Sequence, residues 1–549
     1  MLSLYYTAMK TRVSLAKLGA AALLLGSLSS CEDILEHYLP KPTPPPPATP
    51  TFPPLGQDIP FYALSGGTRL DAYSTKDPAT RTGSVAITGL PSGERILAMD
   101  FRPATGQLYG VSNADRLYVI NQNTGVARAL GTQAFNPSLA GDLFGFDFNP
   151  TQDLIRLVTN MGQRVFVDPV PGAIRFPGTI FGPDGATFTA VAYTNNVAGA
   201  KTTELYVIDS QNQQLYLLTP PNPSSSSALD ESRLVPVGKL NLPISGDGGF
   251  DIDARTGTAL GLFPVNKKPT LFTLNLSTGA ARPLAQYNAS LGYTSIAIPT
   301  RPVAYTFWGV ARGGLLVIDL TNPSIDIRIG AAVGGAAVLR WIGLDFRPSN
   351  GQLYALARIV GGGNDLYTIN PATGDTDYVS HVPVIVDSDD PGFDFDPITD
   401  RLRVVSSSGQ NLSINPSDGT ATVERPLTPP DLGIYTAAYS NNFTGTPTST
   451  LYVMGRVSGS QGNFPTVGTL YQQMPPQEGT LVRVGDLGIP AVLTGSFDIG
   501  GTTNTGYAIL NAAGNSALYK VDLATGQVTL ASSSYNSVTP IGLAVGLGF

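Results

Sequence analysis

One cysteine and two histidines are present among 549 residues. A single thiol excludes internal disulfides and any Cys-based zinc site. His37 lies in an N-terminal stretch, which leaves His381 alone in the rest of the chain, too little for a zinc centre or a His-dependent triad. Any metal would therefore need hard oxygen ligands, which points to calcium. Charged residues are also scarce, at 13%, with a net charge of −7 and no basic stripe, so nucleic-acid binding has no electrostatic support. No G-x-S-x-G, phosphate-cradling glycine loop or C-x-x-C occurs. What is abundant is Gly (61) and Pro (45), with frequent Tyr and Phe, a turn-rich all-β composition.

The N-terminus reads as an address. In MKTRVSLAKLGAAALLLGSLSS (9–30), Lys10, Arg12 and Lys17 precede an apolar stretch from Leu18 to Leu28. That stretch is too short for a transmembrane helix. It runs into Leu28-Ser29-Ser30-Cys31, which resembles a bacterial lipobox with lipidation at Cys31. Residues 1–30 are thus expected to be a lipoprotein signal peptide and 31–59 an acidic, Pro-rich tether. Glu32, Asp33 and Glu36 resemble a surface-export signal, and KPTPPPPATPTFPP (41–54) suits extended polyproline II. The expected location is the bacterial cell envelope, lipid-anchored at the outer membrane on its surface or periplasmic face.

From about residue 60 the chain is written twice. DFRPATGQLYGV (100–111), GFDFNPTQDLIRLV (145–158), AYTNN (192–196) and GGFDI (248–252) return as DFRPSNGQLYAL (345–356), GFDFDPITDRLRVV (392–405), AYSNN (438–442) and GSFDI (495–499). A near-constant shift marks duplication of a whole fold unit. Inside each copy an apolar–Asp–apolar strand recurs at the spacing of a four-stranded propeller blade, about five times per copy. A second element, as in LYVINQNTGVA (117–127) and LYTINPATGDT (366–376), ends in Asn/Asp-x-x-Thr-Gly, a hairpin turn in which the Asx side chain caps its own turn and Gly supplies positive φ. The expected fold is an all-β propeller of about ten blades in two five-blade repeats, 60–302 and 303–549. Two closures are open to the sequence: each copy is closed by its own last strand as a separate disc, or IAIPTRPVAYTFW (296–308) forms one hairpin within a ten-bladed ring.

GFDF…DRLRVVSSSGQNLSINPSDG (392–419), AAYSNN (437–442), TLYQQMPPQEGTLVRVGDLG (469–488) and SFDI (496–499) resemble the DUF4394 family of bacterial secreted proteins. The resemblance covers both copies. The first departs from it at LIRLVTNMGQRVFVDP (154–169) and at the insert SSSSALDES (224–232). It implies a repeat unit and no chemistry.

Among polar residues, Asp100, Asp147, Asp251, Asp345, Asp394 and Asp498 recur on the inner strands. They are expected to be structural, accepting backbone N–H groups from the following turn or the next blade; the functional reading is a cation-binding ring at the channel. Asp387, Asp389, Asp390, Asp394 and Asp396 form an acidic cluster suited to Ca²⁺. Arg102, Arg347 and the arginines of RLRVV (401–405) are expected to pair with these aspartates. Tyr109, Tyr118, Tyr206, Tyr354, Tyr367, Tyr452 and Tyr519 sit at strand spacing and read as inter-blade packing, and Trp308 and Trp341 as core. The first functional expectation is a non-catalytic binding or scaffold protein for a protein or glycan partner, attached to the membrane through its lipid. The alternative is a glycan or lactone hydrolase using channel-mouth carboxylates.

Overall fold

The computed structural model describes residues 52–549 except 132, 171, 221–232, 310–312, 325, 332–337, 458–466, 492, 494–495, 513 and 533–539. The expected signal peptide with Cys31, the expected tether up to residue 51 and the serine-rich insert lie outside the described residues.

The fold is all-β and propeller-like. Among the described residues the strands form ten antiparallel sheets, nine of four strands and one of five. The innermost strands are largely apolar, six of them with an inward aspartate, because both faces are covered: every residue of Phe144–Asn149 is buried. Outermost strands such as Ala127–Leu130 and Arg233–Lys239 are largely solvated and carry the charges.

In the first copy, inner strand Ile96–Phe101 contacts Phe144–Asn149, then in turn Phe188–Tyr193, Gly249–Ile252 and Tyr293–Ala297, and the circuit returns to Ile96–Phe101. In the second copy Val338–Arg347, Gly392–Asp396, Ala438–Tyr439, Phe497–Ile499 and Pro540–Val545 do the same. Tyr293–Ala297 pairs with Pro60–Ser65, the first strand of its own copy, and Pro540–Val545 pairs with Val303–Trp308. The two segments that the sequence allows as one hairpin, 293–297 and 303–308, therefore pair elsewhere.

Inner strands approach so closely that two repeat-related positions exclude a side chain. A Cβ at Gly145 would stand 2.7 Å from the Val191 backbone nitrogen, and one at Gly392 would stand 2.5 Å from the Thr436 carbonyl carbon. Between sheets, rings meet edge-on at corresponding places: Tyr109 on Phe148 at 5.1 Å and Tyr354 on Phe395 at 5.2 Å. The hairpin turns use the expected device. Asn121 Oδ1 accepts from Asn123 and Thr124 N–H at 3.0 and 3.1 Å, and Gly125 follows with φ 77°. Asn275 with Gly279 and Asn370 with Gly374 repeat it.

The copies touch through a few specific contacts. Arg102 Nη1 donates to the Gly351 carbonyl at 2.8 Å, Gln122 Nε2 to the Gly548 carbonyl at 3.1 Å, and Gly548 N–H to the Thr105 carbonyl at 2.8 Å.

Candidate functional site

The six inner-strand aspartates divide into two buried trios, Asp100–Asp147–Asp251 and Asp345–Asp394–Asp498, each with one oxygen per residue lying within 4.8 Å of the others. Four of the six accept backbone N–H groups. Asp100 Oδ2 accepts from Phe148 N–H at 3.1 Å and Asp345 Oδ2 from Phe395 N–H at 2.9 Å, both on the next inner strand. Asp251 accepts from Ile298 and Asp498 from Val545, each at 2.5 Å. These bonds lock each inner strand to its neighbour. Asp147 and Asp394 differ: among the described residues no donor meets their carboxylate oxygens in regular geometry, and the Tyr193 and Tyr439 N–H groups only lie close by.

Burial, reinforced by the neighbouring carboxylates, pushes Asp100, Asp147, Asp345 and Asp394 well above the ordinary carboxyl range. Burial also raises Asp251 and Asp498, each to about 7, against the opposing pull of their backbone N–H bonds. Asn196 turns its amide toward Asp100 and is buried, yet its Oδ1 has no partner. Asn442, its counterpart in the repeated AYTNN/AYSNN segment, is buried with both amide atoms unpartnered.

The 387–396 cluster is not one site. Asp389 is taken by Arg340 and Arg358 at 2.9 and 3.2 Å, Asp390 faces Arg340 at 3.8 Å, and Asp387 is bonded by Ser408. Asp396 caps its own turn through Ile398 N–H at 2.9 Å, and only Asp394 joins an axial trio. Strand alternation turns Asp394 inward, while the loop before it is exposed to arginines of the preceding sheet. The arginines are likewise redirected. Arg102 makes a two-pronged bond to Asp153 and Arg347 to Asp400, both turn aspartates of the next sheet, and Arg403 pairs with Glu424. Trp341 is buried and stacked on Phe307 at 5.0 Å, whereas Trp308 is partly exposed beneath Arg328 at 4.6 Å. The tyrosines pack between sheets; of the seven only Tyr452 is less than fully buried.

Two open cavities were not legible in the sequence. One, about 200 Å³, lies between the copies and is lined by Val119, Ile120, Leu130, Pro348, Phe443 and Leu547, with Arg128 at its edge. Arg128 has no ion-pair partner among the described residues. The other, about 80 Å³, opens at one end of the first copy's axis and holds Asp142, Asp247 and Arg95. Desolvation and the Asp142 charge hold the Asp247 carboxyl above its usual range, with Arg95 opposing.

An all-β repeat chain with paired axial carboxylate trios defines the class. The DUF4394 pattern, described as "Domain of unknown function (DUF4394)", matches residues 69–297 and 315–544, and the chain belongs to that family as two tandem copies. No curated protein matches the chain. Among solved structures it loosely resembles a protein from Lactobacillus plantarum, at 13% identity over 63% of this chain and 95% of that one, with a TM-score of 0.27. A putative 6-phosphogluconolactonase from Bacteroides fragilis gives 11% identity over 89% and 98%, with a TM-score of 0.24. A puromycin hydrolase gives 13% over 73% and 54%, also with a TM-score of 0.24.

Proposed function

We propose that the protein is a lipid-anchored, extracytoplasmic binding protein built as two five-bladed propeller discs, each completed by its own last strand. Its partner is a protein segment that seats an apolar side chain in the cleft between the copies and presents a carboxylate to Arg128. One contrast carries this reading: the converging carboxylates are sealed at the axes, while the cavity between the copies is open, apolar and edged by a cation with no ion-pair partner among the described residues. A lining with a single aromatic ring, Phe443, favours a protein segment over a glycan chain. The lipobox-like Cys31 and the proline-rich stretch after it support display on the envelope. The test is a photo-crosslinking residue placed at Val126 in intact cells. A discrete adduct that disappears on Arg128→Glu supports the reading. An adduct indifferent to Arg128→Glu, or none, overturns it.

A hydrolase is the second reading, favoured by Asp142 and Asp247 sharing one channel mouth with Asp247 held toward its protonated form. Turnover of chromogenic glycosides or of lactones, lost in Asp247→Asn and Asp142→Asn, would support it. No turnover across such a panel would remove it.

A further inference from the structure

We propose that each axial aspartate trio, with the asparagine beside it, holds one calcium ion, so that the chain carries two structural cations, one per copy. The carboxylate oxygens of each trio lie within 4.8 Å of one another. Ca²⁺ takes oxygen ligands at about 2.3–2.6 Å, so two oxygens on one ion stand at most about 5 Å apart, a limit that every pair in the trios meets. Mg²⁺, which demands near-ideal octahedral ligands at about 2.0–2.1 Å and dehydrates reluctantly, suits a buried carboxylate trio less well.

The aspartates alone would be only an acidic cluster. Two further features point to a ligand. Asp147 and Asp394, both buried, have no carboxylate oxygen in a hydrogen bond of regular geometry among the described residues, and the Tyr193 and Tyr439 N–H groups and the other carboxyls lie close by, although buried carboxylates are ordinarily hydrogen-bonded or paired. Asn196, also buried, sits beside Asp100 with a free amide oxygen, a normal calcium ligand, and Asn442 is its counterpart. Arg102 is committed to Asp153, Arg347 to Asp400 and Arg403 to Glu424.

Duplication adds weight, because the member without a regular hydrogen bond is the same one in both copies: Asp394 stands in GFDF where Asp147 stands in GFDF. In the first copy a narrow void of about 10 Å³ runs between the inner strands beside Ala98, Gly145, Ala190 and Gly249. The cavity bearing Asp142 and Asp247 shares Phe144 and Gly248 with it.

The test is metal analysis of the full chain, purified without chelator and dialysed against CaCl₂. Two calcium ions per chain are expected. Stripping with EDTA under mild denaturant should lower the melting midpoint by about 5 °C or more, with recovery on adding CaCl₂ and not MgCl₂. Asp147→Asn should reduce the ratio to one ion, and Asp147→Asn with Asp394→Asn to none. If those variants fail to fold, the metal content of the unaltered chain decides. A metal-free chain whose midpoint ignores EDTA would overturn the proposal and leave shared protons to neutralise the trios. A single ion per chain would overturn it for one copy.

Discussion

Tyr293 donates its hydroxyl hydrogen to Asp71 Oδ2 at 2.7 Å across 222 residues of sequence. The bond joins the strand that ends the first copy to the second strand of that copy's first sheet. Asp71 is buried, and it also receives both arms of Arg69 at 3.0 and 2.9 Å and the Ser84 hydroxyl at 2.6 Å. Tyr73 and Tyr293 share a further hydroxyl bond of 2.6 Å.

Tyr293→Phe removes one donor to a buried carboxylate and is expected to cost about 1.5–3 kcal/mol in urea unfolding. Asp71→Asn and Tyr293→Phe together should cost less than the sum of the single changes, because they share one network.

The same carboxylate sets a pH dependence. Burial pushes Asp71 up, but the bonds from Arg69, Ser84 and Tyr293 outweigh it and hold the group below its usual range. A depressed folded pKa contributes stability above the unfolded value, about 3.9, and that stability is lost as pH falls through the folded value. The stability gap between the unaltered chain and Asp71→Asn should therefore be full at pH 7 and shrink below about pH 4. A gap that is flat from pH 7 to pH 3 would contradict this.

Repeat-related arginines are expected to differ in weight. Arg102 is buried with Asp153 and reaches the second copy at Gly351, whereas Arg347 faces an Asp400 that is 39% exposed. Arg102→Met should cost about 3–5 kcal/mol, since it strands a buried charge. Arg347→Met should cost about 1 kcal/mol, because water can take over at Asp400. Thermal midpoints of the two variants compare them directly.

Cys31→Ala is expected to move the protein from the membrane fraction to the soluble fraction. Inhibition of lipoprotein signal processing should mislocalise it in the same way. Unchanged membrane retention in both experiments would contradict lipid anchoring.

Much of the architecture was legible because it is periodic. Apolar–Asp–apolar strands and Asn-x-x-Thr-Gly turns recur, and each is a local rule of strand burial or turn chemistry. The backbone-locking role of Asp100, Asp251, Asp345 and Asp498 followed from that recurrence. The trios did not, because strands far apart in sequence meet only when the inner-strand circuit returns on itself. The acidic run at 387–396 misled for the opposite reason: residues close in sequence were split by strand alternation and by Arg340 and Arg358 from the preceding sheet. The cleft between copies draws on segments near 107–130, 348–351, 443–447 and 547–548, and no local pattern announces it.

The pairing of the last strand of each copy is the claim on which the two-disc account rests. Because Cys31 is the sole cysteine, a cysteine pair placed in a Cys31→Ser background has no competitor. Tyr62 and Ala297 are direct cross-strand partners. Tyr62→Cys with Ala297→Cys should oxidise to a single intramolecular disulfide, seen as a mobility shift reversed by reductant. Ala297→Cys with Ala304→Cys should remain as free thiols. The reverse result would mean that the two copies share one continuous ring.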